Sequence, residues 1–420
     1  MKLLLYTMLY ALWLTSASAA DEPLLGSNLT GLLDYAREHN PELAASRYEV
    51  DAAQQRVQPA SALPDPVLRT ELMDITNQGT NKGTSLLPSQ VGGTRYTLMQ
   101  SIPWFGKRDL QREVAEAQAA QAEGQVASTW AELASKIKAS YAMYYYVSGS
   151  QRLAHETLDL MNNLEQVAQT RYAHGLGAQQ EVIVAQVAQT DLRSELLDLE
   201  KEEHHAQGRI NTLLSRPAMT ALEQPESLRP LPTAAQLDYN LLEQKLRGRN
   251  PQLLIADARR IEAEKSRDLA YTNRYPGFTV GVAPTQSGSA IKTWDLMVEF
   301  SIPLHQGVRH SKLREAEAML AASGARSEGL LNQMLADLSE SLVSLDTARR
   351  SASLITTQLL PQAELTYQSA LIGYENGKVN FAILLDAQRQ ILKARQQQLK
   401  AQLEAQLGWA EIERLLGEEL

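Results

Sequence analysis

The residues whose types could do chemistry are histidines, methionines and charges that alternate along short apolar stretches. His204 and His205 are adjacent, so on a helix they point about 100° apart and cannot share one metal face. His305 and His310 sit near a helix start and read as exposed or hydrogen-bonded side chains. Met73, Met99 and Met297 fall on a strand face with charged residues. A soft-metal track is imaginable there, but gap-filling is the better account of a flexible thioether. There are no cysteines, which removes disulfides, thiolate metal sites and a lipid-anchoring thiol. No phosphate-binding glycine loop, nucleophile motif or metal-ligand spacing stands out. The expectation is therefore no enzyme, no cofactor and no resident metal. What remains is the chemistry of a water-filled path, lined by Arg69, Glu71, Arg95, Asp295 and Glu299.

Those five charges are positioned by four stretches that alternate with period two. In 66–74, Arg69 and Glu71 oppose Leu68 and Leu72; in 94–104, Arg95, Thr97 and Met99 oppose Tyr96, Leu98, Ile102 and Trp104. In 277–284, Phe278, Val280 and Val282 alternate with Thr279, Gly281 and Ala283, and Pro284 to Lys292 reads as a loop. In 293–303, Asp295 and Glu299 oppose Trp294, Leu296, Val298 and Phe300. Strands of about ten residues, polar inside and apolar outside, fit an outer-membrane barrel. Tyr96, Trp104, Phe105 and Trp294 fit its aromatic girdle. Four strands cannot close a barrel, which needs about eight. Three chains of four strands would share a twelve-stranded one, since an open edge in lipid is costly.

The rest is helical in period. Residues 28–38, 42–60, 234–248 and 251–272 predict short helices. After Lys107 the period of 3.6 lasts to Tyr172, and from 308 it lasts to 374: each is about 65 residues, or roughly 100 Å. Val126, Trp130, Leu133 and Ile137 keep coiled-coil spacing, as do Leu331, Leu335, Leu338, Leu342 and Leu345. Gly175 and Gly377 turn the chain into return helices at 179–214 and about 380–417. The chain thus says the same thing twice. Asn40-Pro41 returns as Asn250-Pro251, Ser101-Ile102-Pro103 as Ser301-Ile302-Pro303, and Tyr172-Ala-His-Gly175 as Tyr374-Glu-Asn-Gly377. The first repeat is 21–215 with hairpin 107–214, the linker 216–233, and the second repeat 234–420 with hairpin 308–417.

The net charge of −9 argues against nucleic acid. No stretch of the mature chain approaches the about 18 apolar residues of a membrane helix. Residues 1–20 predict a signal peptide: Lys2, an apolar run from Leu3 to Leu14, and the small-residue site Ala17-Ser18-Ala19.

The two Asn-Pro openings, the Gln100-to-Arg108 junction, Ser301-Ile-Pro303, the paired Tyr-x-x-Gly turns and Leu385-Asp386-Ala387-Gln388 together resemble the TolC-like outer-membrane efflux family, over nearly the whole mature chain. Each motif is weak alone; their order and duplication make the likeness. The resemblance implies a mainly α fold with a small β part. It implies a homotrimer whose barrel in the outer-membrane lipid continues into a periplasmic coiled-coil tunnel, docking on a periplasmic adaptor and an inner-membrane pump. The Ile102-to-Arg108 junction looks most like the branch serving RND-type heavy-metal pumps. Without a cysteine the chain is expected to be non-lipidated, held by its barrel alone. In such channels the tip constricts where the hairpins turn, which implicates Gln180 and Glu181 on the first hairpin and Tyr374 and Asp386 on the second. The family's second acidic position is Ile383 here, and its basic latch position is Val379, beside Lys378; Lys378 is expected to pair with Glu181 or Asp386 instead. Threefold repetition would gather Asp386 into a ring. Alternatives are a multidrug or type I polypeptide secretion duct and, in another class, a periplasmic adaptor or coiled-coil scaffold.

Overall fold

The computed structural model describes residues 25–76, 84–233 and 235–420. The signal peptide expected at 1–20 lies outside them. Two short helices, α1 (Leu29–His39) and α2 (Pro41–Ala60), lead to β1 (Val67–Met73) and β2 (Gly93–Ile102). The first hairpin is α3 (Lys107–Ala173) with α4 (Gln179–Leu213). The order then repeats: α5 (Tyr239–Arg249), α6 (Pro251–Thr272), β3 (Gly277–Ser287), β4 (Ala290–Ser301), α7 (Gln306–Leu354), α8 (Leu360–Glu375) and α9 (Phe381–Leu416).

Both Asn-Pro openings do the same two jobs. The Asn40 side chain accepts from the N–H groups of Glu42 and Leu43, and Asn250 accepts from Leu253. Proline follows at the first helical position, where its missing N–H costs nothing. Such a cap is worth about 1 kcal/mol. Each buried amide then donates to the far end of its own return helix: Asn40 to the Leu213 carbonyl at 3.0 Å, Asn250 to that of Leu415 at 2.7 Å. The motif therefore closes each repeat on itself.

The four strands form one antiparallel sheet in chain order, so β2 and β3 join the repeats. The expected faces are present: Arg69 pairs with Thr97, Glu71 with Arg95, Ala283 with Asp295 and Thr279 with Glu299, all on one side. Leu98, Val282, Leu296, Val298 and Phe300 are exposed on the other. Several boundaries differ from the sequence reading. β4 starts at Ala290 rather than 293, because β3 and β4 stay paired almost to their turn, and it ends at Ser301 rather than 303. β3 continues through Pro284 to Ser287, because the β2 ladder has a gap opposite Pro284 and a bulge at Thr285/Gln286 absorbs the irregularity. β2 ends at Ile102, so Trp104 belongs to the turn into α3. Helix α5 starts at Tyr239 rather than 234, because the Asp238 side chain caps the Leu241 N–H.

The second long arm is also not one α-helix. Residues Ile355–Leu359 make a π-helical turn between α7 and α8. Pro361 explains it: it has no N–H for the Thr357 carbonyl, and its ring crowds that oxygen.

Three apolar clusters hold the helices. One, around Ile137, Tyr144 and Ile210, lies mid-length in the first repeat, and one around Leu338, Leu345 and Ile412 matches it in the second. The third is at the hairpin tips. The middle pair is tied by buried charge. Lys138 on α3 donates to Glu413 on α9 at 2.7 Å, and Arg229 of the linker reaches the same carboxylate at 2.9 Å. Removing one partner of such a group would strand a buried charge.

Candidate functional site

The tips are built by two glycine turns. Gly175 and Gly377 adopt φ of 69° and 67°, which a side chain would disfavour. The turns bring Ala168, Ala185, Ala370, Phe381 and Leu384 into one core, and Tyr374 enters it 1% exposed. Its ring meets Phe381 edge-on at 5.5 Å. Its hydroxyl donates to Glu181 at 2.8 Å, so the structure joins two residues that the sequence placed separately at the tip. Burial, then the hydrogen bond to and the charge of Glu181, push the Tyr374 phenol up to about 12. The phenol is thus a neutral donor at any ordinary pH.

Arg171, which the sequence reading missed, completes the group. Its guanidinium lies 4.7 Å from the centre of the Tyr374 ring, close enough for cation–π attraction. It also donates to the Leu176 carbonyl and, at 3.4 Å, to that of Glu375 in the other hairpin. Only the basic residue directly before Tyr172 hinted at it. Glu165 was missed as well. Gln186, Gln189 and Gln169 all donate to it, tying α3 to α4, and they hold its carboxyl below the usual range, with a smaller pull from Arg193.

The remaining tip residues are exposed and separate. Gln180 faces solvent. Asp386 accepts from Gln390 on its own helix at 2.9 Å. Lys378 is exposed, and among the described residues no ion pair involves it; within one chain Glu181 is already engaged by Tyr374.

At the other end, Arg95 reaches across β3 to Asp295 at 3.0 Å. Arg69 and Glu71 stand 4.0 Å apart at the limit of an ion pair. Glu299 has no ion-pair partner among the described residues. Met99 and Met297 both lean over Gly281, within 3.1 and 3.2 Å of where its Cβ would be, and Met73 covers Gly93 in the same way. Gap-filling accounts for all three. The four aromatics of the expected girdle lie at two levels, two on the strands and two in the turn into α3. Tyr96 and Trp294 are near the loop end of the sheet, whereas Trp104 and Phe105 are at the helix end, with Trp104 stacked on Tyr275 at 4.9 Å. From Trp294 to Ser301, where β4 ends, the strand runs about 23 Å, close to the about 25 Å of an outer-membrane apolar band. His204, His205, His305 and His310 are exposed, and among the described residues no cluster could hold a metal.

The sequence pattern described as "Outer membrane efflux protein" matches residues 32–216 and 242–418, one stretch in each half. The chain is 26% identical over 403 residues to the cobalt-zinc-cadmium resistance protein CzcC of Cupriavidus metallidurans, covering 93% of this chain and 90% of that one. It is 26% identical over 324 residues to the pyoverdine export outer membrane protein OpmQ of Pseudomonas aeruginosa, covering 73% and 66%. The fold superimposes on crystal structures of CusC with a TM-score of 0.81 at 19% identity, covering 94% of this chain and 93% of that one. For the outer membrane protein VceC of Vibrio cholerae the TM-score is 0.78 at 18% identity, covering 93% and 96%.

Proposed function

The chain belongs to the outer membrane efflux protein family, and we propose that within it this protein is the exit duct for heavy-metal cations. The family is one of channels rather than enzymes, and the protein is an outer-membrane efflux channel with a helical tunnel in the periplasm. One observation carries the proposed assembly. The sheet is polar on one side and apolar on the other, and its outer strands β1 and β4 each pair on one edge only. Two free edges in a lipid-facing sheet demand neighbours, and three copies give a barrel of twelve strands.

The cargo and partners follow from likeness. CzcC, matched along nearly its whole length, is a metal-resistance protein. We therefore assign a periplasmic adaptor and an RND-type inner-membrane pump as partners. Glu299 and Asp386, which make no ion pair among the described residues, offer cations passing negative charge at the two ends of the path. At the tip, Arg171, Tyr374 and Glu181 hold the two hairpins together, which fits a closed state. OpmQ, a pyoverdine export protein, speaks for the runner-up within transport, a multidrug or type I polypeptide secretion duct. The scaffold reading has no such support.

The test is a deletion strain challenged with cobalt, zinc, cadmium, copper and silver salts beside lipophilic drugs and detergents. Selective metal sensitivity, restored by the gene, is expected; sensitivity to drugs alone would refute the metal assignment. In planar bilayers, Asp386→Asn should lose block by divalent cations. Unchanged block would remove Asp386 from the path.

A further inference from the structure

Between the sheet and the long helices lies a cavity of about 330 Å³ that is lined by none of the charges expected along the lumen and none of the expected gate residues. Both repeats build it: Trp104 and Lys107 follow β2, Asn273 and Tyr275 follow α6, and Ile302 and Arg309 follow β4. Asn273 gathers two cations there. Its side-chain oxygen accepts from Lys107 Nζ at 2.8 Å, and its backbone carbonyl accepts from Arg309 Nε at 2.9 Å. Both acceptors are neutral, and among the described residues neither cation has a carboxylate within ion-pair reach. Arg309 Nη1 is buried and lacks a hydrogen-bond partner among the described residues. A buried charged donor without an acceptor is costly, so the cavity asks for an anionic oxygen. Neither α3 nor α7 has a side-chain cap where it begins beside this cavity; the Lys107 N–H already donates to the Trp104 carbonyl and the Gln306 N–H to that of Leu304, so only the N–H groups after them can add to it.

The position says which anion. Ile302, 73% exposed, directly follows β4 and stands on the rim of the cavity. Trp104 and Tyr275 stack at the same level, as aromatics do where hydrocarbon gives way to headgroups. In a chain of net charge −9, a pair of uncompensated cations at that depth is against the general trend. The geometry points to a binding site for the phosphate of a phospholipid in the periplasm-facing leaflet. Arg309 and Lys107 hold the phosphate, and the acyl chains lie along the strand face. A guanidinium matches two phosphate oxygens at once, whereas the ammonium adds a point charge. This rests on the placement of the sheet in the outer membrane.

The full-length channel in detergent is offered phosphatidylglycerol or inorganic phosphate, and retained adducts are read by native mass spectrometry. Phosphatidylglycerol should be retained, saturating at one per chain. Retention should weaken by about tenfold or more in the Lys107→Gln, Arg309→Gln double variant, and Arg309→Lys should restore part of it. Circular dichroism and survival of the oligomer on gels report folding; should the double variant not assemble, Arg309→Gln alone is compared with Arg309→Lys. Equal retention in wild type and in a folded charge-neutral variant overturns the site. Inorganic phosphate binding with no phospholipid retained overturns the lipid as its source. Conductance and outer-membrane fractionation on the same variants separate this from the underlying placement: a channel that still inserts and conducts, yet holds lipid unchanged, fails this inference alone.

Discussion

Gly175 and Gly377 turn their hairpins with the same backbone. Leu176 donates to the Arg171 carbonyl and Lys378 to that of Gly373, both at 2.8 Å, and each glycine donates to the tyrosine three residues before it. The side chains diverge. Tyr172 is 48% exposed, whereas Tyr374 is 1% exposed. Before the first tyrosine stands Arg171. Before the second stands Gly373, whose Cβ would fall 2.0 Å from a Val379 methyl. The second turn thus packs tightly on itself and offers an aromatic ring, while the first sends an arginine and a carboxylate to meet it. Repeating a turn twice in one chain leaves the two copies free to become the halves of one contact.

Replacing each tyrosine by alanine tests that division most severely. Tyr374→Ala should cost about 3–5 kcal/mol of tip stability, as for other buried aromatics, read as lost hydrogen-exchange protection around 370–385. Tyr172→Ala should stay within about 0.5 kcal/mol. Equal losses would break the comparison. Next in size is Tyr374→Phe, which keeps the ring and leaves a Glu181 oxygen unmet. It should cost about 1–3 kcal/mol and raise closed-state conductance, whereas Tyr172→Phe should do neither.

The same hydroxyl gives a pH signature. Its folded value is raised from 10.0 to about 12, so the folded tip holds this proton more tightly than the unfolded chain does. The contribution is fully present below pH 10 and is lost as pH rises towards 12. Conductance should climb across that window in the wild type and stay flat in Tyr374→Phe. The smallest effects concern the exposed cation. Lys378→Ala should change tip stability by no more than about 1 kcal/mol, and less than Arg171→Gln does. If closed-state conductance is also unchanged by Lys378→Ala, the expectation that Lys378 latches the tip by pairing with Glu181 or Asp386 fails.

Much of this architecture was legible because it is periodic. Alternation put Arg69, Glu71, Arg95, Asp295 and Glu299 on one face, and that face is present in the sheet. The Asn-Pro and Tyr-x-x-Gly repeats gave the order of elements, because caps and turns are local chemistry. The illegible parts are those made between distant segments. Nothing in the neighbourhood of Arg171 says that its target lies about 200 residues on, and Glu165 could not reveal that its partners would be glutamines on α4. The π-helical turn is another kind of miss. Its cause, Pro361, is visible in the sequence, but the helical period from 308 to 374 suggested an unbroken helix.

That turn has a consequence for how the second arm tolerates change in length. A π-helical turn holds one residue more than the α-helix around it needs. Removing Thr357, with Pro361 also replaced by alanine so that no ring crowds a carbonyl, would let the arm wind as ordinary helix past this point, with every side chain below it keeping its azimuth. The same single deletion higher in α7 would rotate the lower arm by about 100° and swing Tyr374 away from Glu181. Two shortened proteins of equal length should therefore differ: deletion at 357 leaves a closed channel, and deletion near 340 leaves a leaking one. The π-helical turn is the phase reserve of a long helix that must meet its partner at a fixed angle.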